Sequence, residues 1–157
     1  RSCFQTILQA THPAFQAPLR GGESLKIPSE RGGRGADGVG VGLGKVYAVE
    51  RIPELVKFGR ANASKYNFVK SGRLEFVYSD GSLGLAEHAP FDRILASAAF
   101  EIFPEELTHQ LAEGGILVVP LETPERGIMK ARRVARGVEK QFYPGFIFVP
   151  MVNTLET

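Results

Sequence analysis

Gly44–Asn67 reads GKVYAVERIPELVKFGRANASKYN. Val46–Val49 is a short run of β-branched and aromatic residues that ends on the carboxylate of Glu50, the pattern of a buried strand. Pro53 suits the first turn of a helix, and Glu54 favours its positive end. Leu55, Phe58, Asn62 and Tyr66 then recur at helical spacing, so the helix is expected to reach about Asn67. Leu74–Tyr78 is a second strand of the same kind, followed by the turn pair Asp80-Gly81. Strand, acid, helix, strand, acid is the grammar of an α/β chain with parallel strands. In such sheets ligands bind in the crevice beyond the carboxyl ends of the strands. Glu50 is placed to take the two hydroxyls of a ribose there, and Asp80 to reach the base. Together they suggest a site for a nucleoside-containing cofactor.

The alternation continues downstream. Phe91–Ala98 (FDRILASA) is a third strand whose end becomes small and polar, leaving room for close approach at Ser97 and Ala98. Pro104-Glu105-Glu106 opens a second helix, with Phe103, Leu107 and Leu111 on one face. Gly114-Gly115 is expected to end it, and Ile116–Pro120 to be a fourth strand. Gly127–Val134 and Gln141–Val149 read as two strands without a helix between them, an antiparallel hairpin closing the sheet. Lys130, Arg132, Arg133 and Arg136 alternate with apolar residues there, as on a solvated strand face.

Upstream the signal is weaker. Cys3–Gln9 is compatible with a helix start, interrupted by Pro13 and Pro18. Gly21–Gly44 holds nine glycines, and such a stretch loses more chain entropy on ordering than its few apolar side chains offset. It reads as a Gly-rich loop or poorly ordered segment of a single domain spanning residues 1–157. The first residue is Arg1, so the chain reads as a fragment, a processed product or a trimmed form.

Bulk properties narrow the class. At 157 residues the chain is long enough for one full-sized core. The formal charge of +2 gives no reason to expect a nucleic-acid partner. A lone cysteine, Cys3, excludes a disulfide within the chain, and the three histidines, His12, His88 and His109, lie too far apart to read as metal ligands. His88 and His109 read as surface residues. No apolar run approaches the roughly 18 residues of a membrane span, and no signal-peptide pattern is present. The expectation is a soluble, cytoplasmic protein, monomeric, with no membrane and no metal.

Three blocks carry a more specific likeness. GKVYAVERIPELVKFGRANASKYN, YSDGSLGLAEHAPFDRILASAA and FPEELTHQLAEGGILVVPL together resemble the protein-L-isoaspartate O-methyltransferase family. Asp80–Ile94 follows that family's G-D-G-S…A-P-Y/F-D-R-I block closely. The closing FYPGFIFVPMV resembles its last strand. The resemblance implies a Rossmann-like class I methyltransferase sheet, mostly parallel with an antiparallel C-terminal hairpin and an irregular N-terminal part. It implies S-adenosylmethionine as cofactor, and methyl transfer to the free carboxylate of L-isoaspartyl residues in damaged proteins and peptides. Under it Glu50 holds the ribose hydroxyls, Asp80 and Gly81 face the adenine, and Ser97 and Ala98 lie on the substrate side.

The sequence also departs from the family. Its glycine loop, roughly V-L-D-I-G-S-G-S-G, has no clear counterpart: Leu25-Lys26-Ile27 resembles the strand before it, but Pro28 and Glu30 stand where glycines belong. Gln5-Thr6-Ile7 matches a family Q-T-I-S motif, yet Leu8 replaces the serine, so no catalytic residue is carried over to that position. Two readings stay open at this level. One is an enzyme, with full or impaired activity. The other is a non-catalytic fold of the same descent that binds protein or RNA through Arg31, Arg34 and the Lys130–Arg136 face.

Overall fold

The computed structural model describes residues 7–11 and 44–152. Within them, seven strands form one sheet: β1 (Ile7–Thr11), β2 (Lys45–Glu50), β3 (Leu74–Tyr78), β4 (Phe91–Ala96), β5 (Leu111–Leu121), β6 (Gly127–Val134) and β7 (Gly137–Pro144). Helix α1 (Pro53–Ser64) links β2 to β3, and the five-residue α2 (Glu105–His109) precedes β5. Two single 3-10 turns, Gly81–Leu83 and Ala86–His88, lie between β3 and β4.

The strand order is β3-β2-β1-β4-β5-β6-β7. Strands β2 and β3 pair in parallel, as do β4 and β5, while β1 is antiparallel to both of its neighbours, β2 and β4. The last three strands form an antiparallel meander. The α/β class and the C-terminal hairpin are as expected from the sequence, but the mostly parallel sheet needs correction. Five strands share a direction, yet only two of the six pairings are parallel, because a reversed β1 lies between β2 and β4 and the last three strands alternate. Residues 7–9 are therefore strand, where Cys3–Gln9 suggested a helix start: the gap between β2 and β4 offers Ile7–Thr11 two ladders, and pairing on both sides outweighs local propensity. Positions 21–43, nearly all of the glycine-rich segment, lie outside the described residues.

One face of the sheet makes the core. Ile7, Val49, Phe91, Ile94, Leu107, Leu111, Leu117 and Val119 are buried in a single cluster. The opposite face is thinner. Helix α1 has no fully buried residue, and Leu8 and Leu95, paired across β1 and β4, remain 37% and 46% exposed.

Strand β5 starts five residues before the expected Ile116, and α2 stops at His109. Gly114-Gly115 is the reason. Phe91 pairs with Leu111 but Arg93 with Ile116, so the strand carries extra residues at this point. Gly114 has φ +76°, and a Cβ on Gly115 would stand 2.9 Å from the Phe91 carbonyl oxygen. The glycines absorb a strand irregularity and do not cap a helix.

Candidate functional site at the C-terminal rim of the sheet

β2, β3, β4 and β5 run in one direction, so their carboxyl ends share one edge of the sheet. Glu50 ends β2, opposite Tyr78, which ends β3, and the Ser79 amide donates to the Glu50 carbonyl at 3.2 Å. Asp80 follows two residues beyond Tyr78. The two sequence-selected carboxylates thus stand on neighbouring strand ends. Ile7, the first residue of β1, pairs with Val49 and Ala96 and closes the gap between Glu50 and the end of β4.

Glu50 is 2% exposed, so it is no solvated strand-end carboxylate. Its Oε1 accepts from the amides of Arg51 at 2.9 Å and Ile52 at 3.0 Å. Ile52 is the cap residue of α1 and supplies no side-chain bond, so Glu50 serves the amides at this helix entry and lies at the favourable end of its dipole. Asp80 is half-buried, and its Oδ1 accepts from the Ser82 amide at 2.9 Å, capping the 3-10 turn Gly81–Leu83. Both acids therefore have structural work at the rim, and that work orients their carboxylates. Gly81 is buried against Ile7: a Cβ there would lie 3.1 Å from Ile7 Cδ1.

Ser97 and Ala98 follow β4 on the same rim. Ala98 is fully buried and Ser97 half-buried, so of the two only the serine reaches the surface. The next residues are clamped on both sides. Ala99 exchanges backbone hydrogen bonds with Val149 and Met151, both at 2.7 Å, and Phe100 does the same with Pro120 and Glu122. The C-terminal VPM segment that resembled a family strand thus runs beside the 97–100 turn.

The basic residues of β6 are less uniform than their alternation suggested. Lys130 and Arg132 are exposed, but Arg133 is half-buried, and its Nη1 donates to the carbonyls of His109 and Leu111 at 2.8 and 2.9 Å. It ties α2 and the start of β5 to β6. His88 is also not a plain surface residue, since its ring stacks on Tyr47 at 4.4 Å. Sequence reasoning passed over Gln9 and Gln110, a buried amide pair whose only signal was a polar residue at a core position.

A cavity of about 850 Å³ lies at the other edge of the sheet, lined by Pro90, Asp92, His109, Glu113, Arg133 and Val138 among others. It faces the amino ends of β4 and β5, away from the rim. Thr11 and Lys45, which pair with each other and flank positions 12–44, lie on that far edge too. Leu8 sits in mid-strand, facing away from the core. Among the described residues no group of three or more His, Cys, Asp and Glu side chains is placed to hold a metal ion, and no helix is long and apolar enough to cross a membrane.

The sequence profile of the family described as protein-L-isoaspartate (D-aspartate) O-methyltransferase matches residues 38–156, most of the chain. The chain belongs to this family. A protein-L-isoaspartate O-methyltransferase of Methanococcoides burtonii is 37% identical over 111 residues, which are 70% of this chain and 53% of that protein. One from Aeropyrum pernix is 48% identical over 86 residues, 55% of this chain and 32% of the relative. The chain therefore spans from about a third to about half the length of these isoaspartate methyltransferases. Among solved structures, a Plasmodium falciparum protein described as a protein-L-isoaspartate O-methyltransferase, in complex with S-adenosyl-L-homocysteine, is similar with TM-score 0.61. It is 23% identical, and the match covers 68% of this chain and 51% of that one. At that identity the likeness concerns the fold.

Proposed function

We propose that this chain carries out S-adenosylmethionine-dependent methyl transfer to the free carboxylate of L-isoaspartyl residues in damaged proteins and peptides, with the nucleoside held at the rim formed by β2 and β3. The observation that carries this reading is the parallel pairing of β2 with β3, which brings Glu50, at the end of one strand, and Asp80, two residues past the end of the other, to the edge where such sheets bind ligands. Membership of the family supports the reaction class.

The rim suits the nucleoside end of the cofactor. Glu50 would accept from the ribose hydroxyls, and the two amides on its Oε1 hold the carboxylate in one orientation, so little is reordered on binding. Asp80 and the Gly81 backbone would meet the adenine, with the 3-10 turn fixing both. Residues expected near the methionine end fall in the segment outside the described residues. When bound, S-adenosylmethionine supplies a methyl group already activated by its sulfonium.

The accepting carboxylate has an unperturbed pKa of about 4 and is ionised at neutral pH, so the protein need not provide a general base. What it must do is align the reactants and keep water out, and alignment of this kind can contribute roughly 7–11 kcal/mol. Ser97, half-buried, would lie with the buried Ala98 on the substrate side. Reading the chain as one monomeric, cytoplasmic domain belongs to the same proposal.

Calorimetry decides it. S-adenosylmethionine and S-adenosylhomocysteine should bind with micromolar affinity, and Glu50→Gln should weaken both by about tenfold or more, the worth of a charge-assisted hydrogen bond. Binding by Glu50→Gln equal to that of the parent would remove Glu50 from the site. Salt-dependent RNA binding without any cofactor affinity would favour a non-catalytic binding module instead.

A further inference from the structure

Gln110 is the C-cap residue of α2, is 7% exposed, and has no part in the reading above. Its Nε2 donates to the Leu83 carbonyl at 2.7 Å, and its Oε1 accepts from the Leu85 amide at 2.9 Å. One side chain thereby pairs with the backbone on both sides of Gly84, as a neighbouring strand would. The fit leaves no room for a larger residue. A Cβ on Gly84 would clash with the Gln110 amide, and φ of +68° is disfavoured for any other residue. Gln9, fully buried on β1, adds a longer contact from its Nε2 to Gln110 Oε1 at 3.4 Å.

The held turn is the one that begins with Asp80 and Gly81. Ile7 supports it beneath Gly81, Asp80 caps it at Ser82, and Gln110 fixes its other end. The bond at Ser82 is local, but the supports from β1 and from the residue after α2 are tertiary, and those two tie the turn to the rest of the fold.

We infer that Gln110 is a positioning residue for nucleoside binding. Its buried amide fixes residues 80–85, and through them the placement of Asp80 and Gly81 at the rim. The inference rests on the proposed cofactor site and adds to it a residue that touches no ligand. Because only the nucleoside meets this turn, loosening it lowers affinity for adenosine and for S-adenosylhomocysteine by the same factor.

Two measurements on Gln110→Met test this, with Gly84→Ala as a second route to the same displacement should the first variant fold poorly. Amide hydrogen exchange is expected to speed up at least tenfold at Ser82 and Leu85 while staying unchanged at Ile94 and Leu117. Affinity for adenosine and S-adenosylhomocysteine is expected to fall about tenfold for each. A variant that is only less stable, with an unmoved turn, would keep the parent's affinity at temperatures where it is folded. Unchanged exchange at Ser82 and Leu85 overturns the inference, and so does faster exchange with unchanged affinity. If the parent chain binds neither ligand, the proposed function fails and the inference with it. If the parent binds and the variants bind equally well, only the role of Gln110 is lost.

Discussion

At Glu50 a single carboxylate serves both the fold and the candidate site. Oε1 satisfies two amides at the entry to α1, in surroundings that admit almost no water. Removing the acceptor leaves those amides without their partner, and a buried unsatisfied group costs about 1–3 kcal/mol. Glu50→Ala is therefore expected to lower unfolding stability by about that amount, whereas Glu50→Gln, which keeps a carbonyl oxygen, should lose less. Urea denaturation of the two variants gives the comparison. It also makes glutamine the cleaner probe of ligand binding.

Glu105 offers a different test at this scale. The hydrogen bond from Lys140, at 2.7 Å, holds its carboxyl below the usual carboxylate range. A lowered carboxyl pKa stabilises the fold above the unfolded value and loses that contribution as pH falls through the folded one. Both side chains are substantially exposed, so solvent screening keeps the pair to about 0.2–1 kcal/mol. Glu105→Gln should show a deficit of that order at pH 7 that shrinks toward zero as pH falls below about 4, near the reference carboxylate pKa. A deficit that is constant from pH 7 to pH 3 would mean the pair contributes nothing.

Among the elements, the β6–β7 hairpin is closely packed at its open end. Gly127 opens β6 opposite Pro144, and a Cβ there would lie 2.7 Å from Phe142 Cζ and 2.9 Å from Pro144 Cα. Gly127→Ala must push the strands apart, and overpacking of this kind costs about 1–3 kcal/mol. A thermal midpoint equal to the parent's would show that the hairpin end gives way freely. Elements also differ in how plainly the sequence announces them. Leu74–Tyr78 and Gly127–Val134 have the bounds expected from their patterns. The last strand is Gly137–Pro144 and not Gln141–Val149, because Gly145 at φ +90° turns the chain out of the sheet. The aromatic residues beyond it kept the look of a strand without a strand neighbour. On β3, which stands first in the strand order, Arg60 donates to the Phe76 carbonyl at 3.1 Å, occupying an acceptor that another chain could otherwise use.

Across the whole molecule the two sheet faces carry unequal weight. The core face holds Leu117 with no exposure, while Phe58 on α1 is 57% exposed. Leu117→Ala is expected to cost about 2–5 kcal/mol and Phe58→Ala less than about 0.5 kcal/mol. Equal losses in chemical denaturation would contradict this division. Strand β1 accounts for part of the asymmetry. The buried Ile7 and Gln9 of β1 serve the core side, while Leu8 faces the thin side.

Read alone, the chain discloses β2, β3, β6 and the helix between the first two, together with the acid that ends β2 and the acid two residues past β3. Those are legible because strand and helix periods, turn pairs and the DGS…APFDRI block are encoded within a few neighbouring residues. The reversed entry of β1 into the sheet, the burial of Glu50 on two amides, the bonds from Arg133 to carbonyls of other elements and the grip of Gln110 on the turn after Asp80 emerge from the folded arrangement. Each of these joins residues far apart in the chain or depends on which groups lose water. Such contacts form only when non-local strands pair, and no short-range pattern reports them.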